Sequence, residues 1–104
     1  GVTAEVSFGK IPFLEGAQQL AAAGAVPGGT IANADFARDF ADFGDFSLTD
    51  IYLVCDAQTS GGLLISLPPG EAELLIEDLE KAGLMGVVIG SVQGKGNGQI
   101  VLVA

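Results

Sequence analysis

The sequence predicts a single α+β domain, a mixed or antiparallel sheet with helices packed on it, and three observations lead there. Runs that alternate apolar and polar residues, or stay apolar for four or five positions, are interleaved with runs at helical spacing. The length of 104 residues suits one domain and not two. Hydrophobic residues make up 49% and charged residues 16%, with a mean hydropathy of +0.52, the reverse of a disordered chain. A domain of this size buries roughly 60 to 70% of its unfolded surface, enough to fold alone.

Val2-Thr3-Ala4-Glu5-Val6-Ser7-Phe8 alternates apolar and polar residues, the period of a half-buried strand, and Gly9 and Lys10 end it. Pro12 suits the first turn of a helix, where a missing N–H is no loss. Phe13, Leu14, Ala17, Leu20, Ala21 and Gly24 then keep one helical face, with Gly24 as the stop. Pro27-Gly28-Gly29-Thr30 opens a second helical pattern, in which Phe36, Phe40 and Phe43 form an aromatic flank beside an acidic one of Asp35, Asp39 and Asp42. Gly44 closes it. Ser47-Leu48-Thr49-Asp50 has the spacing of an acidic capping box, which favours a short helix over a strand for residues 47–55.

Leu63-Leu64-Ile65-Ser66-Leu67 reads as a buried strand. Pro68-Pro69-Gly70 turns the chain into a third long helix whose Ala72, Leu75, Leu79 and Ala82 share a face, capped by Gly83. Val87-Val88-Ile89 and Gln99-Ile100-Val101-Leu102-Val103 complete four strands, the last pair joined by Asn97-Gly98, a hairpin signal.

Charge narrows the function classes. Thirteen acids against four bases and no His give a net charge of −9, which argues against nucleic acid and against an anionic membrane as partner. The uncharged stretch from Gly16 to Ala34 is interrupted by Gln, Pro, Gly and Asn and reads as helix, loop and helix, not as a bilayer span. The single Cys55 forms no internal disulfide, which fits a reducing, cytoplasmic setting. The chain opens directly in a strand pattern without a signal-peptide profile, as a piece of a longer protein would.

Two Gly-rich loops are the candidates for chemistry. In Gln58-Thr59-Ser60-Gly61-Gly62 the hydroxyls of Thr59 and Ser60 and the unobstructed N–H groups of Gly61 and Gly62 suit a phosphate. The commoner use of such glycines is a tight turn feeding a strand. Gly28, Gly29 and Thr30 lie at a helix start, where free N–H groups favour anions. Thr30 as N-cap is the plainer reading there. Neither loop is a Walker A motif. The acids from Asp35 to Asp56 are spaced as a solvated face and not as a metal cage, so no metal ligands are assigned. Asp56, just before its loop, reads as a cap for nearby backbone N–H groups. Without His, Cys55 has no partner to activate it, and no catalytic residue is assigned within these residues.

Asp56-Ala57-Gln58-Thr59-Ser60-Gly61-Gly62-Leu63-Leu64-Ile65 resembles the Asp-Pro-Gln-Thr-Ser-Gly-Gly-Leu-Leu segment of the selenophosphate synthetase (selenide, water dikinase) family, with Ala57 where Pro is common. Val26-Pro27-Gly28-Gly29-Thr30 with Asn33 is similar to that family's Pro-Gly-Gly-Thr-x-x-Asn segment. The resemblance implies the C-terminal α+β domain of the aminoimidazole ribonucleotide synthetase-related superfamily, over residues 1–104. It implies a parent enzyme that turns ATP, selenide and water into selenophosphate, AMP and phosphate. The ATP and Mg²⁺ sites and the reactive Cys or selenocysteine would lie mainly in an N-terminal domain. That domain would be the partner of this one, the parent a likeness-implied homodimer, and these residues alone would hold no cofactor. Thr59, Ser60, Gly61 and Gly62 would face the cleft, with Gly28, Gly29 and Thr30 beside them. A thiamine monophosphate kinase-like enzyme, a stand-alone binding domain and a domain without a working active site are the alternatives.

Overall fold

A computed structural model describes all residues, Gly1 to Ala104. Its elements run β1 (Val2–Ser7), a 3-10 turn (Phe8–Lys10), α1 (Ala17–Ala22), α2 (Gly28–Ala37), β2 (Ala41–Asp42), α3 (Leu48–Val54), α4 (Pro69–Lys81), β3 (Gly90–Lys95) and β4 (Ile100–Val103). The four strands form one mixed sheet in the order β2-β4-β1-β3. The α+β class is therefore as the sequence predicts.

The alternating β1 takes an interior place. It pairs parallel with β4, Val6 opposite Leu102, and antiparallel with β3, Val6 opposite Gly90. Gly90 is required by proximity, because a Cβ there would run into the Glu5 carbonyl oxygen. Since β1 separates β3 from β4, Asn97-Gly98 does not close a two-stranded hairpin, contrary to expectation. Gly98 has a φ of +78°, while Asn97 stays at negative φ, so the type I′ geometry is absent.

Two expected strands also differ. Leu63–Leu67 joins no sheet and its side chains are exposed, Leu63 to 90%. Its apolar composition suits an extended chain, but no backbone–backbone hydrogen bond is made anywhere from residue 58 to residue 67. The strand expected at Val87–Ile89 lies further on, at Gly90–Lys95, because the β1 edge accepts that stretch from Ser7 N–H to Ile89 C=O (2.7 Å) onward.

The helices are mostly shorter than their patterns. α1 begins only at Ala17, after Gly16 turns the chain at φ +83°. α2 ends at Ala37, short of Phe40 and Phe43, and its buried face is Thr30 and Ala34, one turn apart. Phe36 consequently stands exposed, edge-on to Phe40 at 5.2 Å, and the aromatic flank is not the core face. Small residues at 30 and 34 let α2 approach α3, whose Ile51 is buried. In α3 the capping box is complete: Ser47 Oγ accepts the Asp50 N–H (3.2 Å) and Asp50 Oδ2 accepts the Ser47 N–H (3.2 Å). α4 half-buries Ala72, Leu75 and Leu79 as its spacing predicts, but buries no residue fully.

The accessible surface is 7285 Å², where a monomer of this mass typically presents about 5400 Å². Nine of the seventeen exposed large apolar side chains fall between Leu63 and Val88. Surplus apolar surface is thus concentrated on one stretch of the chain. No helix is long and apolar enough to cross a membrane.

Candidate functional site

The two Gly-rich loops meet. Thr30, in the first turn of α2, is 1% exposed, and its hydroxyl points to the start of the second loop. Thr30 Oγ1 donates to Asp56 Oδ1 (2.8 Å) and accepts the Ala57 N–H (3.0 Å). One turn along α2, Asn33 Nδ2 donates to the Cys55 carbonyl oxygen (3.1 Å) at the end of α3. A Cβ on Gly29 would lie 3.1 Å from Ala57 Cβ, so the Gly29 backbone also packs closely against the Ala57 side chain. Thr30 is not the N-cap. Pro27 holds that position and accepts the Thr30 N–H at 3.0 Å.

An open depression of about 680 Å³ lies on this junction, lined by Asn33, Asp56, Ala57, Gln58, Thr59, Gly61 and Gly62. Thr59 and Ser60 form a bend with both residues exposed, so their hydroxyls remain free to donate outward. Gly28 and Gly29 occupy the first turn of α2, and their N–H groups have no acceptor within the chain. Among the predicted residues, Gly28, Gly29, Thr59, Ser60, Gly61 and Gly62 are accessible around this junction, whereas Thr30 is inside it, supporting both loops.

The motif glycines differ from the punctuating ones. Gly16, Gly24, Gly44, Gly83, Gly94 and Gly98 all have positive φ, as turns and helix ends require. Gly28, Gly29, Gly61 and Gly62 do not. Added Cβ atoms on Gly28 and Gly62 would meet nothing within 4 Å, and one on Gly61 would meet only the movable end of Gln58. Neither backbone angle nor internal packing therefore accounts for glycine at 28, 61 and 62. An absent Cβ instead leaves the neighbouring N–H groups open to an approaching anion.

The acids are used one at a time. Asp50 caps α3, Asp42 accepts the Gly44 N–H (2.9 Å), and Asp35 stands 4.0 Å from Arg38. Asp56 accepts the Thr30 hydroxyl rather than a backbone N–H of its own turn, which residue type alone did not reveal. No three acids or cysteines are gathered closely enough to hold a metal ion. Cys55 ends α3 half-buried, and burial pushes its thiol up from the ordinary value, only partly opposed by the Arg38 charge. A protonated thiol is a weak nucleophile. A second depression of about 450 Å³ lies around Arg38, Phe43 and Phe46, apart from the motif loops.

No protein-family model matches the chain. Curated relatives do. Selenide, water dikinase of Carboxydothermus hydrogenoformans is 35% identical over 100 residues, covering 95% of this chain and 29% of that protein. The proteins of the same name from Aliarcobacter butzleri and Aeromonas hydrophila are each 38% identical, covering 85% and 97% of this chain and 27% and 29% of their own lengths. The chain thus spans under a third of the relatives it matches, and the matched part is their C-terminal portion. By sequence and over most of its length, this chain is a homologue of the C-terminal portion of the selenide, water dikinases.

Proposed function

We propose that residues 1–104 are the C-terminal domain of an ATP-dependent selenophosphate synthetase and wall its active-site cleft. The reaction converts ATP, selenide and water into selenophosphate, AMP and phosphate. Thr59, Ser60, Gly61 and Gly62 face the cleft, and Gly28 and Gly29 flank them. One observation carries this reading: two loops 26 residues apart at their Thr30–Asp56 contact form a single donor-rich junction at which the fold itself does not need glycine at 28, 61 and 62.

The residues present fit the phosphate oxygens of ATP. Hydroxyls at Thr59 and Ser60 and N–H groups at Gly28, Gly29, Gly61 and Gly62 are donors, and no acidic side chain projects from Gln58 to Gly62 to repel an anion. They do not fit Mg²⁺. The one carboxylate at the junction, Asp56, already accepts from Thr30, and no acidic cluster stands nearby. Metal, most of the nucleotide site and the reactive Cys or selenocysteine belong, in this reading, to an N-terminal domain. That domain is the principal partner, and the full-length enzyme is a cytoplasmic homodimer. The free, half-buried Cys55 is in keeping with a reducing compartment.

The test is Thr59→Ala and Ser60→Ala in the full-length enzyme that contains this chain. Turnover falls at least tenfold while the thermal midpoint stays within about 2 °C, as expected for exposed side chains. Unchanged kinetics in both variants would sink the proposal. So would ATP hydrolysis or selenophosphate formation by residues 1–104 alone.

A further inference from the structure

The second loop is anchored at one end by α2. From Asp56 to Leu67 the chain makes two hydrogen bonds in all, and both go to Thr30 Oγ1. A threonine hydroxyl has one proton to give and lone pairs to receive with. Here the proton goes to Asp56 Oδ1, which acts as a pure acceptor, and a lone pair takes the Ala57 N–H. Successive residues are thus held by one atom, which fixes the direction in which the chain leaves α3. Asn33 holds the residue before them through the Cys55 carbonyl, and Gly29 packs against Ala57. Thr30 is 1% exposed, so its hydroxyl has little water to turn to in place of these two partners.

We infer that Thr30 is the positioning residue of the cleft loop: with Asn33 it clamps Cys55–Ala57 and thereby aims Gln58–Gly62. What the loop is aimed at rests on the function proposed above, but the clamp itself does not. Thr30 acts through the loop and touches no substrate. Asp56 serves as its hydrogen-bond acceptor, not as a charge in the reaction.

The experiment uses the full-length enzyme with Thr30→Val, Thr30→Ser and Asp56→Asn, read by ATP steady-state kinetics and by exchange of the Ala57 amide. Thr30→Val keeps the shape and removes both bonds. The turnover number falls at least tenfold with KM for ATP changed less than threefold, and Ala57 exchange quickens at least tenfold. Thr30→Ser restores both readouts to within threefold of the parent. Asp56→Asn, which keeps the Oδ1 acceptor, retains turnover to within fivefold. Turnover within twofold in folded Thr30→Val, or Ser no better than Val, overturns the inference. So does an Asp56→Asn loss as deep as that of Thr30→Val, because charge would then outweigh position. If Thr30→Val does not fold, Asn33→Asp replaces the donor to Cys55 by a repelling acceptor, with a threefold or greater loss of turnover expected and none overturning the inference. Should the enzyme make no selenophosphate, the functional reading fails while the Ala57 amide in Val against Ser still decides the clamp.

Discussion

β1 and the segment Leu63–Leu67 both have the composition of a strand, yet only one belongs to the sheet. β1 carries Thr3, Glu5 and Ser7 among its apolar residues and is hydrogen-bonded on both sides. Leu63–Leu67 has four large apolar residues in five, and bonds to nothing along its backbone. Strand composition states that a backbone will extend. Membership of a sheet also needs hydrogen bonding to an edge, and Leu63–Leu67 lies on neither outer edge, at β2 or at β3, while β1 fills the place between β3 and β4. The difference separates a hydrogen-bonded half of the molecule from a half whose apolar side chains face outward.

The comparison can be broken from the sheet side first. Gly90→Val places a Cβ against the Glu5 carbonyl oxygen and forces β3 off β1. The expected cost is about 3 kcal/mol, read as a lowered urea midpoint, and a loss under about 1 kcal/mol would show that the β1–β3 contact is not needed. From the other side, Leu64→Ser removes a side chain that is 79% exposed. Residues 1–104 lose no more than about 0.5 kcal/mol by the same measurement. A larger loss would mean that the segment is packed in solution. Comparing that variant in residues 1–104 and in the full-length enzyme sharpens the contrast, since a larger penalty in the longer chain reports a cover for this segment outside these residues.

The smallest effect lies at the border between the halves. Cys55 is half-buried, and desolvation raises its thiol, the Arg38 charge pulling the other way. A raised value means that the folded state favours the neutral thiol. The stability gained is present below the unfolded thiol's ordinary range and is lost as pH rises through the folded value. Alkylation of Cys55 at pH 8 should therefore be slower in the folded chain than in urea. Equal rates would place Cys55 on the open side of the border.

Local signals in the sequence were reliable where the cause was local. Ser47 and Asp50 are three residues apart, and their capping box forms as their spacing implies. Gly83 ends α4 at φ +73°. Signals failed where a distant partner decided. Nothing in Leu63–Leu67 discloses that the interior of the sheet is filled by Val2–Ser7, and nothing in Phe36 discloses that α2 turns Thr30 and Ala34 inward instead. At the site, both loops were visible as Gly-rich punctuation. Their meeting was not, because it depends on one hydroxyl reaching Asp56 across 26 positions. Thr-x-x-x-Ala on α2, two small residues one turn apart, is the trace that a close helix approach leaves in the sequence.

The parallel pairing of β1 with β4 also governs how the chain assembles. Ser7 Oγ donates to the Ala104 carbonyl oxygen (2.7 Å), a bond that spans 97 positions. Interior strands drawn from the two extremes of the sequence give a high contact order, and the closure entropy of so long a loop is charged before any ladder bond forms. The helices between can form early, while the sheet waits for Ile100–Val103 to arrive. During synthesis, β1 is therefore without this hydrogen-bonded neighbour until Ile100–Val103 has been made.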